Sequence, residues 1–319
     1  MELFSLKKNK LESIDLQSFK LEKEIQNLIE NNTDSVFQLE FVCSEFTVGN
    51  YRIDSLCYDV ENKSLVIIEY KKGSSYSVID QGYTYLQLLL NNKSDFLLAL
   101  SQYYNKVLRI EDIDWSQSKI IFVSQSFNSY QKDSVNFKGL PFELWEIKRF
   151  ANDVITLNKH ETSSKESIAS LSNEKSQNMI ASVNREVVVY EEEHHITAAN
   201  IATYSVWADL KVRFLELENV DLNPKKHYIS LVFNNKAINY IVFRKSKIVL
   251  EIPRGNVNPD GSKSKDYFTL DDPKGIAKEH SWEWKSGTKG TIYKIDVTKK
   301  ADLDYIMFLI KQKYKNLAL

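Results

Sequence analysis

Hydrophobic and polar positions along the chain alternate between two periods, and the changes of period mark its elements. Over 12–32, Leu21, Ile25, Leu28 and Ile29 fall at the three-to-four spacing of one helix face, and Asn31-Asn32 stop the pattern. Shorter β-branched runs follow and predict strands at 36–46, 51–58 and 65–70, with Gly49-Asn50 turning between the first two and 59–63 between the second two. Helical spacing returns after Gly73-Ser74-Ser75, where Ile79, Gly82, Tyr83, Leu86 and Leu90 predict a core-facing stripe over 77–90. A second helix is expected at 94–105, then strands at 119–124, 142–147 and 154–157. Strands interleaved with helices in this way predict an α/β domain over residues 1–157, a mixed sheet flanked by helices.

Residues 158–186 break the pattern. They are rich in Ser, Lys and Glu, without aromatics or glycine, and 158–196 is expected to be a polar linker. Periodicity resumes at 198–217, where Ile201, Tyr204, Trp207, Leu210, Phe214 and Leu217 predict a helix. Strands at 228–233, 238–243 and 248–252, a basic loop at 254–265, a strand at 293–297 and a closing helix at 301–315 predict a second, smaller α+β domain over 197–319.

Composition adds limits. The chain has 319 residues, 43% hydrophobic and 27% charged, which suits two soluble globular domains. Cys43 and Cys57 are the two cysteines, and both fall in strand-like alternation, so buried thiols are expected, not a disulfide framework or a zinc site. No apolar run reaches 18 residues, and the N-terminal residues lack a signal-peptide core, so a cytoplasmic protein without a membrane span is expected. Net charge is −1, but unevenly distributed: residues 201–319 carry 21 Lys and Arg against 14 Asp and Glu, leaving 21 against 29 before them. A basic C-terminal half suits a polyanion, although lysine-rich surfaces are also ordinary.

The candidate chemistry lies in 51–85. Glu69 interrupts an apolar strand, where a carboxylate is costly unless paired or bound to a metal. Glu69 and Lys71 share one strand face, antiparallel pairing brings Asp54 near Glu69, and Gln81 and Tyr85 share one helix face. A Glu-x-Lys by itself usually marks a solvated sheet face, and a Gln-x-x-x-Tyr is equally common. Glu45 lies near the site in this pairing. Glu191-Glu192-Glu193-His194-His195 also invites a metal reading, but consecutive residues cannot all face one ion, and a charged connection explains it better.

Asp54, Glu69-x-Lys71 and Gln81-x-x-x-Tyr85, in this order, resemble the PD-(D/E)xK nuclease superfamily and its RecB-type branch. Ile53 stands where the family name has proline. The resemblance covers roughly 15–157 and implies a restriction-endonuclease-like fold and a DNA-hydrolysing enzyme using Mg2+ or Mn2+. It implies metal ligation by Asp54 and Glu69, completed by Glu22 of the first helix with Glu24 as rival. Lys71 would position the attacking water, and Gln81 and Tyr85 would hold the strand or the lysine. A role in restriction, phage defence or repair follows by the same analogy. DNA is the expected partner, with RNA left open and a homodimer as a candidate assembly.

The second domain resembles an uncharacterised domain found behind such nucleases and historically labelled a predicted transport protein. Leu270-Asp271-Asp272-Pro273, His280, Gly287, Gly290 and Asp302-Leu303-Asp304-Tyr305 carry the resemblance. Arg254, Lys263, Lys265, Trp282, Trp284, Lys285 and Lys289 mix cations with aromatics, which suits phosphate contacts with base stacking. A core tryptophan beside incidental lysines is the plainer alternative.

Overall fold

A computed structural model describes residues 2–71, 77–137, 139–160, 177–197, 201–234, 236–283 and 288–318, with the side chains of 177–179 and 201–202 left aside. The chain divides into two compact units, Met1–Val189 and Tyr190–Leu319.

The first unit opens with a hairpin, β1 (Leu3–Lys7) and β2 (Lys10–Ile14), then a short β3 (Leu16–Gln17). The single helix expected over 12–32 is therefore shorter: α1 spans Glu22–Glu30. Lys8 and Asn9 both have positive φ, 45° and 64°, the two-residue hairpin geometry that reverses the chain before a helix can start. After α1 come α2 (Thr33–Phe37), β4 (Glu40–Val48), β5 (Tyr51–Asp59) and β6 (Ser64–Lys71). The strand expected from 36 thus starts later, because 33–37 close a helical turn and Gln38 caps it in the left-handed region.

α3 (Val78–Asn91) and α4 (Lys93–Tyr103) follow, then β7 (Lys119–Ser124), α5 (Ser129–Ser134), β8 (Phe142–Phe150), β9 (Val154–Lys159) and α6 (Gln177–Glu186). Ser77 caps α3 by accepting the Asp80 N–H, and the Gly73–Ser75 opening lies outside the described residues. Of the expected linker, 161–176 also lie outside them. Val183 of α6, with Val187 just beyond it, is buried in the first unit's core, so part of that polar stretch packs.

The sheet order is β3-β8-β7-β6-β5-β4, with β9 also paired to β8. β6–β7 and β7–β8 are parallel and the other pairs antiparallel. All eight residues of β6 are buried, as expected of a central strand covered on both faces. One face carries Val66, Ile68 and Tyr70 against Ile25 and Ile29 of α1. The other carries Leu65 and Ile67 in a core shared with Tyr83, Tyr85, Leu86 and Leu89 of α3. The unit is a mixed α/β fold, a mixed sheet flanked by helices.

In the second unit, α7 (Glu192–His195) and α8 (Ile201–Leu215) precede β10 (Val220–Pro224), β11 (Ile229–Phe233), β12 (Lys236–Phe243), β13 (Ile248–Val257), β14 (Lys278–Glu283), β15 (Lys289–Val297) and α9 (Leu303–Ala318). The antiparallel order is β10-β11-β12-β13-β15-β14. Trp207, Leu210 and Phe214 of α8 share a core with Ile306, Leu309 and Ile310 of α9 and with Leu231, Ile241, Leu250 and Ile295 of the sheet. β10 was not foreseen, because Asp221, Asn223 and Pro224 obscure its alternation.

Gly82 sets how closely α3 approaches the first unit's sheet. A Cβ there would lie 2.7 Å from the Phe142 ring, which is itself held edge-to-face by Tyr83 and Phe122. Gly82→Ala is therefore expected to destabilise the protein by about 1–3 kcal/mol, despite alanine's better helix propensity. Calorimetric melting checks it, and an unchanged or raised Tm would show that the ring yields freely.

Candidate active site

Glu69 lies near the end of β6 and is 5% exposed. Three donors converge on its Oε1: Lys71 Nζ at 2.9 Å, Gln81 Nε2 at 2.8 Å and the Tyr85 hydroxyl at 3.3 Å. The strand supplies the first donor by its two-residue repeat. α3 supplies the others from consecutive turns, and Gln81 Nε2 also donates to the Tyr85 oxygen at 3.0 Å. Burial raises the Tyr85 phenol well above its ordinary range, and the Glu69 charge raises it further, so it remains a donor. Glu69 Oε2 is buried without a hydrogen-bond partner among the described residues.

Asp54 occupies the position on β5 opposite Glu69, one step beyond the pair Ser55↔Ile68. Its Oδ2 accepts the Tyr70 backbone N–H at 2.9 Å. Burial and the neighbouring Glu69 charge push its carboxyl up to about 7, while that hydrogen bond and the Lys71 charge pull the other way. Asp54, Glu69, Lys71, Gln81 and Tyr85 are thus gathered at one end of the β5–β6 pair.

Glu22 is placed differently. It is exposed at the start of α1, which packs on the sheet face opposite α3, and neither Asp54 nor Glu69 is hydrogen-bonded to it. Its rival Glu24 accepts the Lys20 backbone N–H. Glu45 pairs with Lys23 and Arg52, each at 3.0 Å, and the Lys23 hydrogen bond leads in holding its carboxyl below the usual range. The residues of α1 nearest Asp54 in the hydrogen-bonding pattern are Gln26 and Glu30. Their sequence signal was modest: a polar pair four apart, each one position after a stripe residue.

Among the described residues, no group of three or more His, Cys, Asp or Glu is arranged to hold a metal ion. A two-carboxylate site nevertheless has the right donors. Glu69 Oε2 lacks a partner, and the Asp54 charge is disfavoured by its neighbour, so a cation between them would relieve both. Mg2+ is commonly held by one or two carboxylates, with water and phosphate oxygens completing its octahedron. Asp54 and Glu69 fit that role.

In the second unit the expected basic surface divides. Arg254 was expected on a flexible loop but lies on β13 and is 7% exposed. Its guanidinium stacks on Tyr293 at 4.3 Å and Tyr267 at 5.2 Å and pairs with Glu279 at 2.7 Å. The register shift between Pro253 and Gly255 accompanies this inward placement, and Arg254 acts as packing. Lys263 lies over Tyr267 at 4.4 Å, and Lys265 is exposed. Trp282 is 42% exposed on the edge strand β14, and Lys289 lies 3.7 Å from Glu283. Trp284 and Lys285 lie outside the described residues.

The acidic-histidine run forms α7 and has internal duties. Glu192 accepts the Trp207 indole N–H and pairs with Lys211, and His195 Nε2 donates to the Lys225 carbonyl at 2.7 Å. Cys43 and Cys57 are free thiols, the second fully buried. No helix among the described residues is long and apolar enough to cross a membrane.

The raised Asp54 carboxyl links stability to pH. A carboxyl whose folded pKa exceeds its unfolded value contributes stability fully below about 3.9 and loses it as pH rises through the folded value, here about 7. Without divalent cations, Asp54→Asn is expected to melt near wild type at pH 4. Its advantage should grow up to about pH 7 and level off above. Melting temperatures in chelator across that range check this, and a pH-independent difference would refute it.

No family model matches the chain. A crystal structure of a repair endonuclease from Pyrococcus abyssi is 19% identical with a TM-score of 0.23, over 41% of this chain and 49% of that one. EndoMS in apo form is 20% identical with a TM-score of 0.27, over 41% and 48%. An EndoMS–dsDNA2 complex is 17% identical with a TM-score of 0.22, over 46% and 64%. The match therefore spans about half the length of the first two structures. A Haemophilus influenzae protein described as uncharacterized is 38% identical over 321 residues, covering 99% of this chain and all of the other. Identity at that level along the whole length shows that the chain belongs to the family of this Haemophilus influenzae protein.

Proposed function

We propose that the protein is a metal-dependent nuclease that hydrolyses phosphodiester bonds in DNA, with its active site at Asp54, Glu69, Lys71, Gln81 and Tyr85. The observation that carries this reading is the buried Glu69 carboxylate, with three donors on one oxygen and, among the described residues, none on the other. A purely structural carboxylate would be expected to have both oxygens satisfied. Asp54 and Glu69 would hold Mg2+ or Mn2+, which would supply positive charge against the negative charge developing on the phosphoryl oxygens.

The chain's own residues do the rest. Gln81 and Tyr85 fix Glu69 through Oε1 and leave Oε2 for a cation. The Lys71 ammonium, anchored on the same Oε1, is a compact cation suited to orienting an attacking water and stabilising the phosphorane-like charge. The exposed Lys263, Lys265, Trp282 and Lys289 of the second unit are the candidates for gripping nucleic acid. Arg254 is not among them, because its guanidinium is already engaged.

A second reading is a nucleic-acid-binding protein without hydrolysis. The exposed lysines and Trp282 of the second unit, which need no metal to meet a phosphate backbone, favour it. Cleavage of plasmid and linear DNA, with modified and unmodified bases and with Mg2+ or Mn2+, separates the two. Wild type is expected to cleave only with metal, and Glu69→Ala and Lys71→Ala to lose at least about 100-fold in rate, the scale of removing one transition-state donor. Salt-sensitive DNA binding without cleavage would establish the second reading. Cleavage undiminished in both variants would remove the site assignment.

A further inference from the structure

β5 leaves the β6 ladder at Asp54 while staying paired with β4. Its pairing with β6 runs from Asp59↔Ser64 to Ser55↔Ile68. Its pairing with β4 goes from Ser44↔Ser55 to Phe46↔Ile53, skipping Glu45 opposite Asp54. Glu45 has φ 55°, a left-handed conformation costly for a residue with a Cβ and often found where a site demands it. The strand that carries Asp54 therefore has no β6 partner at that position, and its β4 neighbour there, Glu45, is left-handed.

Helix α1 takes up the slack from the opposite face. Ile25 and Ile29 seat it on the sheet, and Gln26 and Glu30, one position further on, are carried beside the gap. Gln26 is 5% exposed. Its Nε2 lies 3.1 Å from the Asp54 carbonyl oxygen, 3.1 Å from Ser44 Oγ and 2.8 Å from Glu30 Oε1. Glu30 Oε1 also accepts Ser55 Oγ at 2.7 Å, and Ser55 Oγ lies 3.2 Å from the Tyr70 hydroxyl. Tyr70 then donates its backbone N–H to Asp54 Oδ2. The circuit leaves the Asp54 carbonyl, runs through one helix and two strands, and returns to the Asp54 carboxylate. Lys23, from the same helix, pairs with the left-handed Glu45.

We infer that Gln26 is a positioning residue for the active site, its amide holding the Asp54 carbonyl where β5 leaves the ladder so that the Asp54 carboxylate stays beside Glu69. Glu30 orients the Gln26 amide, and Ser55 and Tyr70 tie it to β6. The inference rests on the reading of Asp54 and Glu69 as the cation-binding pair, and it assigns the helix's contribution to an amide on the far face, where the sequence had suggested Glu22 as a ligand.

The test uses the full chain and two readouts: calorimetric titration with Mn2+ alone, and metal-dependent DNA cleavage split into kcat and KM. Gln26→Ala and Gln26→Glu are expected to weaken Mn2+ binding about 10-fold or more, the lower range for losing a residue that orients a metal ligand. They should lower kcat with little change in KM. Glutamate keeps the size but cannot donate to the Asp54 carbonyl. Glu45→Gly, which suits a positive φ, is expected to bind Mn2+ as wild type does.

A merely structural Gln26 would lower Tm in Gln26→Ala and leave the Mn2+ affinity of the folded protein unchanged, which overturns the inference alone. Loss of affinity in Glu45→Gly with Gln26→Ala unaffected would overturn it too, in favour of the Lys23–Glu45 pair. Wild type that neither binds Mn2+ nor cleaves DNA removes the cation-site reading and the positioning role together.

Discussion

A carboxylate buried in a strand that is covered on both faces is the constraint on which the first unit depends. Removing an ion from water costs several kcal/mol even after relaxation, and each hydrogen bond to a charged group returns roughly 1.5–3 kcal/mol. One such bond cannot offset the burial of Glu69, whereas three on Oε1 approach it. Lys71 comes with the strand, but Gln81 and Tyr85 require α3 to lie close against the sheet. That approach depends on Gly82 having no Cβ to meet the Phe142 ring.

The same economy explains why the site sits where the sheet loosens. Asp54 satisfies a backbone N–H of β6 with its carboxylate, and its carbonyl is met by a side chain from α1. A fully regular ladder would hold both strands more evenly and leave less freedom to aim the carboxylate. Glu45, across from Asp54 on β4, is left-handed, and its carboxylate is compensated by Lys23 and Arg52. The proposed catalytic side chains on one face and bracing side chains on the other make α1, β5, β6 and α3 one mechanical assembly.

The second unit shows how cations can mislead a reading by composition. Its lysines and arginines give the C-terminal half its positive balance, yet they serve different purposes. Arg254 lies between two tyrosine rings and against Glu279. Lys313 is buried near Phe268, where desolvation lowers its pKa. Lys263 and Lys265 remain at the surface.

Periodicity in the sequence determined the central strands and α3, because β-branched runs and helical stripes are local properties. Alternation put Glu69 and Lys71 on one face, a four-residue step did the same for Gln81 and Tyr85, and a short turn brought Asp54 opposite Glu69. The tertiary structure alone decided what depends on contacts between distant residues or on backbone angles. Two left-handed residues at Lys8-Asn9 close a hairpin whose second strand takes the first residues of the expected helix. An inward placement at a register shift buried Arg254. Gln26 meets Asp54 across 28 positions of chain, a proximity that no spacing encodes, since it arises only when α1 packs on the finished sheet.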